Sequence, residues 1–183
     1  MAILLEIGGG KHPGPRFEDV DQHISVDIDT TAVENASRLH PDITSQFGDA
    51  EQLTDFSDSS VDTVLARNVF GDPLLGFSGQ SRHLAAEDLA RKREQGEAYR
   101  IVKENKLRIL ASAARVLIDG GRLIIVEQLT PEIAEAFLGH HAKEIPTGLQ
   151  IEQADFDSVA PKNYVYSHTM TTSPVVYLGR NSK

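Results

Sequence analysis

The chain contains no cysteine, no apolar run of membrane-spanning length, and too few basic residues to balance its acids. Without cysteine there can be no disulfide, no thiolate catalysis and no cysteine-based zinc site, which suits a cytoplasmic location. Without a long apolar run the chain is not expected to cross a bilayer, and "MAILLE" lacks the cationic flank of a secretory signal. Lysine and arginine total 18 against 27 acids, a formal net charge of −9. Such a surface repels phosphate backbones, so no nucleic acid is expected as a partner. The single compact basic cluster, Arg91–Arg93, lies beside Glu87 and Asp88 and reads as a solvated helix face. Repeats, low-complexity tracts and linkers are also missing. The 183 residues therefore read as one domain, large enough to bury a substantial core.

What is present is an alternation of strand and helix signals. "AILLEI" is a continuous apolar run closed by glycine, as in a strand buried on both faces. "HISVDI" (residues 23–28) reads as a second strand and "TTAVENASRL" as a short helix capped from within Asp29–Thr31. A short third strand fits within residues 42–48, and "SVDTVLARNVF" holds a fourth. Residues 84–117 read as helical, with Gly96 splitting a charged first piece, "LAAEDLARKREQ" (84–95), from a second over 97–117. The second carries Val102, Ile109, Leu110, Ala113, Val116 and Leu117 on one face at helical spacing. "DGG" at residues 119–121 is expected to end that helix as a glycine cap, before a strand in "RLIIVEQL". Pro131 opens a further helix in the favoured first position, and "LQIEQADF" and "PVVYLGR" are strand candidates. The pattern predicts an α/β fold: a doubly wound, mostly parallel, seven-stranded Rossmann-like sheet with helices on both faces. Ligands of such sheets sit beyond the carboxyl ends of the strands, where the strand order reverses.

Three features stand at those strand ends in the expected order. "LEIGGG" places an acid two residues before a glycine loop, and glycines let a backbone approach a ligand closely. Asp27 ends the second strand, 19 residues past Gly8, where a carboxylate can accept from both hydroxyls of a ribose. "GDAEQL" offers Asp49 as acceptor for an exocyclic amine and the Ala50 N–H for a ring nitrogen. Together they describe an adenosine site. A dinucleotide needs G-x-G-x-x-G at the mouth of a helix that receives its pyrophosphate. Gly8 and Gly10 fit that pattern, but Pro13 occupies the third glycine position. Pro13 and Pro15 also disfavour helix at the residues before them, so the first helix is expected to shrink to a proline-containing loop. A ligand without phosphate loses little by this.

"LLEIGGG", "VDID", "GDAEQLTDFSDSSVDTVLARNVF" and "ILASAARVLIDGGRLIIVEQ" resemble the successive motifs of class I S-adenosylmethionine-dependent methyltransferases, over roughly residues 3–130. The likeness is greatest to the group acting on diverse small molecules. The resemblance implies S-adenosyl-L-methionine as cofactor and S-adenosyl-L-homocysteine as product. It implies that Glu6 orients the methionine end through its amino group and that Gly8, Gly9 and Gly10 pass beneath it. Lys11 or Arg16 then reaches the carboxylate, Asp27 with Ile28 holds the ribose, and Asp49 with Ala50 the adenine. Arg67 and Asn68 stand where such enzymes place residues beside the methyl group. Two positions depart from the family pattern: Gly9 replaces a usual cysteine, serine or alanine, and Asp119 a frequent proline.

A sulfonium methyl is already activated, so such an enzyme mainly aligns a nucleophile in line with the S–CH₃ bond, with a base only if the acceptor must lose a proton. No "(D/N)PPY"-like motif follows the fourth strand, which argues against methylation of exocyclic amines on DNA bases. The candidates for catalysis are Arg67, Asn68 and His83, the last in an insertion of about residues 70–100 that reads as a lid over a small-molecule acceptor. His140 and His141, as adjacent helix positions, do not converge on one ion, and no metal site is expected. Two other readings fit the same residues: a cofactor-binding module completed by a partner protein or a second copy, and an NAD-dependent oxidoreductase.

Overall fold

The computed structural model describes residues 1–14, 17–70, 97–127, 149–154 and 175–181. Seven strands form one sheet: β1 (Ile3–Ile7), β2 (Gln22–Asp27), β3 (Thr44–Phe47), β4 (Val61–Arg67), β5 (Leu117–Glu127), β6 (Leu149–Ala154) and β7 (Val175–Asn181). The order is β3-β2-β1-β4-β5-β7-β6. The first five strands run parallel, and β7 lies antiparallel between β5 and β6. From β1 the chain winds outward through β2 and β3, then β4 returns to the opposite flank of β1. The order therefore reverses between β1 and β4, and the crevice of a doubly wound sheet lies past their carboxyl ends.

Alternation along the strands divides the core. Leu5, Ile7, Ile24, Val26, Val64, Ala66, Leu123 and Ile125 form one buried cluster with Ile109, Leu110, Ala113 and Val116. The last four belong to helix α2 (Glu97–Val116), whose apolar stripe was legible in the sequence. On the other face Leu4, Leu65, Ile124 and Val126 pack with Phe17 and Val20, which come from the β1–β2 connection. None of the described residues between β1 and β2 is helical; an irregular loop does there what a helix does in most doubly wound sheets. Helix α1 (Thr30–Leu39) starts as expected, with the Asp29 carboxylate accepting from the backbone N–H groups of Thr31 and Ala32. Among the described residues no helix is long and apolar enough to cross a membrane.

One boundary differs from the sequence reading. The helix ends at Val116, and the strand begins at once at Leu117 rather than beyond "DGG". Pairing with β4 slips between Val61–Leu117 and Thr63–Arg122. The glycines thus make a bulge, with Gly120 at φ +72°, rather than a helix cap. The helices expected in residues 84–95 and after Pro131, and the lid-like insertion, lie outside the described residues apart from the start of α2.

The far end of the sheet is fastened by Asn181, which is buried. Its Nδ2 group donates to the carbonyls of Ala114, Leu117 and Ile118 at 3.1–3.3 Å, tying the last residue of β7 to the α2–β5 junction. Replacing Asn181 by Ala strips these carbonyls of their donor and should cost about 1–3 kcal/mol. Asn181→Asp should be worse, since a carboxylate would face three carbonyl oxygens. Urea unfolding of the two variants checks the ranking.

Candidate functional site

The ends of β1, β2 and β4 converge on the loop Gly8–Gly14. Gly8 and Gly10 both have positive φ, +74° and +59°, which glycine adopts without a Cβ penalty. The loop is tied down at every second residue. Gly8 N–H donates to the Val26 carbonyl at 2.9 Å, and Gly10 N–H to Asp27 Oδ2 at 2.9 Å. The His12 carbonyl accepts from Arg67 Nη2 at 2.6 Å, and Gly14 N–H donates to both oxygens of Glu6 at 3.0 and 2.8 Å. Backbone groups that a helix would satisfy internally are satisfied here by the ends of β1, β2 and β4. That is why "KHPGP" is tolerated: the tethered positions are 8, 10, 12 and 14, and Pro13 falls between them.

Glu6 is the hub. Its side chain is wholly buried, and each carboxylate oxygen accepts twice: Oε1 from Gly14 N–H and Arg67 Nε (2.8 Å), Oε2 from Gly14 N–H and His23 Nε2 (3.0 Å). Because an ionised carboxylate only accepts, His23 Nε2 must carry a proton. His23 Nδ1 is buried with no partner among the described residues. Burial alone would raise the Glu6 pKa, but the hydrogen bond from His23 and the charge of Arg67 together outweigh it and hold the carboxyl below its ordinary value of 4.5. Gly9 fits this packing. A Cβ there would meet Ser25 Oγ at 2.1 Å and the Glu6 carboxyl carbon at 3.4 Å, so a side chain at this position would compete with the residues around the hub.

Asp27 accepts from Gly10 N–H with one oxygen and from Asp29 N–H with the other, at 2.9 Å each. This orients the carboxylate beside the glycine loop and leaves further lone pairs on both oxygens. Gly48 N–H donates to the Asp27 carbonyl at 3.0 Å, which brings Asp49 and Ala50 to the side of Asp27 and Ile28. A Cβ on Gly48 would lie 2.7 Å from Val26, so glycine is required for that approach. Asp49 closes its own turn, accepting from Glu51 N–H at 2.8 Å. The following segment is bolted to α2: Arg108 pairs with Glu51 at 2.8 Å, and Arg115 donates to the carbonyls of Gln52, Leu53 and Phe56 and to Asp58.

The structure thus gathers Glu6, Gly8–Gly10, Asp27, Ile28, Asp49, Ala50 and Arg67 at one edge of the sheet. Lys11 is exposed on the loop. Asn68 follows Arg67 with φ +53°, a conformation asparagine tolerates better than most residues. His83 and Arg16 lie outside the described residues, as do His140, His141 and His168. The sequence reading missed His23, which carries only the weak signal of a polar residue inside an apolar strand. It also missed Arg115, whose partners lie about 60 residues away.

No protein-family model matches the chain, and no curated protein matches it. Solved structures do. A "YcgJ protein" from Bacillus subtilis matches all of this chain over 92% of its own, at 17% identity and a TM-score of 0.58. A TehB-like S-adenosylmethionine-dependent methyltransferase from Corynebacterium glutamicum matches all of this chain over 80% of its own, at 16% identity and TM-score 0.53. An rRNA methylase from Streptococcus thermophilus matches all of it over 87%, at 11% identity and TM-score 0.54. The chain has the class I methyltransferase fold. In that fold the crevice between β1 and β4 is here floored by a loop whose anchor is a buried carboxylate.

The lowered pKa of Glu6 has a definite pH consequence. A carboxyl with a folded pKa below its unfolded one adds stability above its ordinary value, and loses it as the pH falls through the lowered value. Glu6→Gln leaves Arg67 half-buried against a neutral amide and should destabilise the protein by about 3–5 kcal/mol at neutral pH. The gap between wild type and variant should narrow as the pH falls below 4.5. Urea melts across that range decide; a constant gap would remove the charge from the explanation.

Proposed function

We propose that the protein is an S-adenosylmethionine-dependent methyltransferase acting on a small molecule. The observation that carries the reading is the anchored loop beside Asp27: an acid placed for a diol, next to glycines that admit a ligand backbone, with no helix among the described residues between β1 and β2 to receive a pyrophosphate. The residues fit the cofactor on their donor chemistry. Asp27 keeps lone pairs for the ribose, Ile28 offers partly exposed apolar surface beside it, and Asp49 with Ala50 stands alongside for the adenine. Space beside Gly10 is open, with no atom within 4 Å of where a Cβ would sit. S-adenosylmethionine supplies a methyl group already activated by its sulfonium.

The part played by this chain is to hold and orient. All four acceptor positions of Glu6 are filled, so it serves the methionine end through the loop it fixes. A cofactor ammonium could reach the carboxylate only by displacing Gly14, His23 or Arg67. Lys11, exposed on the same loop, is available to the cofactor carboxylate. Arg67 and Asn68, ending β4, face the acceptor side of the crevice in this reading.

A net charge of −9 favours a small-molecule acceptor over RNA, whose backbone would be repelled, although two similar structures are described as an rRNA methylase and a putative one. With a labelled methyl donor, transfer to small-molecule extract and none to total RNA is expected; label in RNA would overturn the acceptor class. For the cofactor, calorimetry should show binding of S-adenosylhomocysteine and none of NAD. Asp27→Ala should weaken that binding by roughly 1.5–3 kcal/mol, the scale of hydrogen bonds to a charged group. Unchanged affinity in a folded variant would refute the ribose assignment.

A further inference from the structure

Two histidines that the cofactor reading does not use meet at the surface. His12 stands on the glycine loop and His40 at the end of α1, 28 residues apart in sequence. Their rings are edge to face at 86°, with centroids 5.8 Å apart, and His40 Nε2 lies 3.5 Å from His12 Nδ1. Hydrogen bonds from ring N–H groups cluster near 2.9–3.0 Å, so this separation is long for one. It is close to the spacing of two nitrogens on one metal. A tetrahedral zinc ion with Zn–N bonds of about 2.0–2.1 Å holds its nitrogens about 3.3 Å apart. A cis pair at 90° around the same bond length would need about 2.9 Å.

Both backbones are fixed independently of the rings. The His12 carbonyl is held by Arg67 at 2.6 Å. His40 donates its N–H to the Ala36 carbonyl at 2.8 Å, and its own carbonyl accepts from Ile43 N–H at 3.0 Å. The pair is therefore presented rather than assembled on binding, and His12 is exposed with His40 half-buried, within reach of solvent ions. Along the chain, exposed Asp42 stands two residues past His40 and exposed Lys11 directly before His12. Among the described residues no group of three or more histidine or acidic side chains is arranged around one metal position, so this is a two-ligand site.

The geometry points to a zinc site formed by His12 Nδ1 and His40 Nε2, with two further positions open to water or an outside ligand. A zinc ion there clamps the glycine loop to the end of α1. The site rests on the two rings alone and stands whether or not the crevice binds S-adenosylmethionine.

Calorimetric titration of Zn²⁺ into the full chain at neutral pH tests it, with histidines elsewhere as internal controls. One equivalent of zinc should be lost, or bound at least tenfold more weakly, in His12→Ala and equally in His40→Ala. The same equivalent should persist in His83→Ala and in the double variant His140→Ala/His141→Ala. Zinc at a hundredfold excess over its dissociation constant should raise the wild-type Tm by about 5–10 °C, and should not do so in either single variant. Both residues lie at the surface, so the variants should fold; circular dichroism confirms it. Undiminished binding in folded His12→Ala or His40→Ala would overturn the site, as would no binding by wild type. Weakening in only one of them would also overturn it, because it would break the pairing.

Discussion

A single buried carboxylate organises the functional edge of this protein. Glu6 lies at the end of β1 with no access to water, where an uncompensated charge would be prohibitively costly. It is compensated by one guanidinium, one imidazole N–H and one backbone N–H shared by both oxygens. Those donors come from β4, β2 and the glycine loop, so satisfying one charge fixes three segments relative to one another. Arg67 extends the linkage by reaching past Glu6 to the His12 carbonyl. The loop consequently has defined geometry without any helical hydrogen bonds, and the strand tips are locked in register at the point where the order reverses.

Much of this was legible in the sequence because each signal was local. Continuous apolar runs gave the central strands, 3.6-residue periodicity gave α2, and Asp29 before Thr30 gave the cap of α1. Prolines at 13 and 15 gave the loop in place of the first helix. The less legible parts depend on partners far apart in the chain. The resemblance reads Glu6 as an acid that meets a ligand's amino group, until His23, 17 residues on, and Arg67, 61 residues on, are seen to occupy its oxygens. "DGG" read as a helix stop because glycine favours positive φ in caps and bulges alike, and only pairing with β4 separates the two. Arg115 looked like an ordinary polar position on α2, since nothing local reveals that it caps three carbonyls of the segment after β3.

Gly9, one of the two departures from the pattern that the sequence resembles, acquires a physical reason. Gly9 stands where a small side chain is common, and the space such a side chain would fill is occupied by Ser25 Oγ. The larger residue at 25 and the absent one at 9 are two sides of one packing choice. His23, two residues earlier on the same face of β2, belongs to that choice as well, because its ring reaches the hub from the strand neighbouring β1. This chain fills the space around the loop from β2.

That arrangement bears on which ligands the crevice favours. A pyrophosphate is held by several backbone N–H groups converging at a helix start, with the helix dipole behind them. Here the N–H groups of Gly8, Gly10 and Gly14 are directed to Val26, Asp27 and Glu6, so they are withdrawn from any incoming anion. Two of those three acceptors are themselves acids; Glu6 is compensated by Arg67, and Asp27 adds a negative charge beside the loop. A negative charge there disfavours pyrophosphate. The hydrogen bonds that let the chain dispense with its first helix are thus the same ones that withdraw these backbone donors from a pyrophosphate.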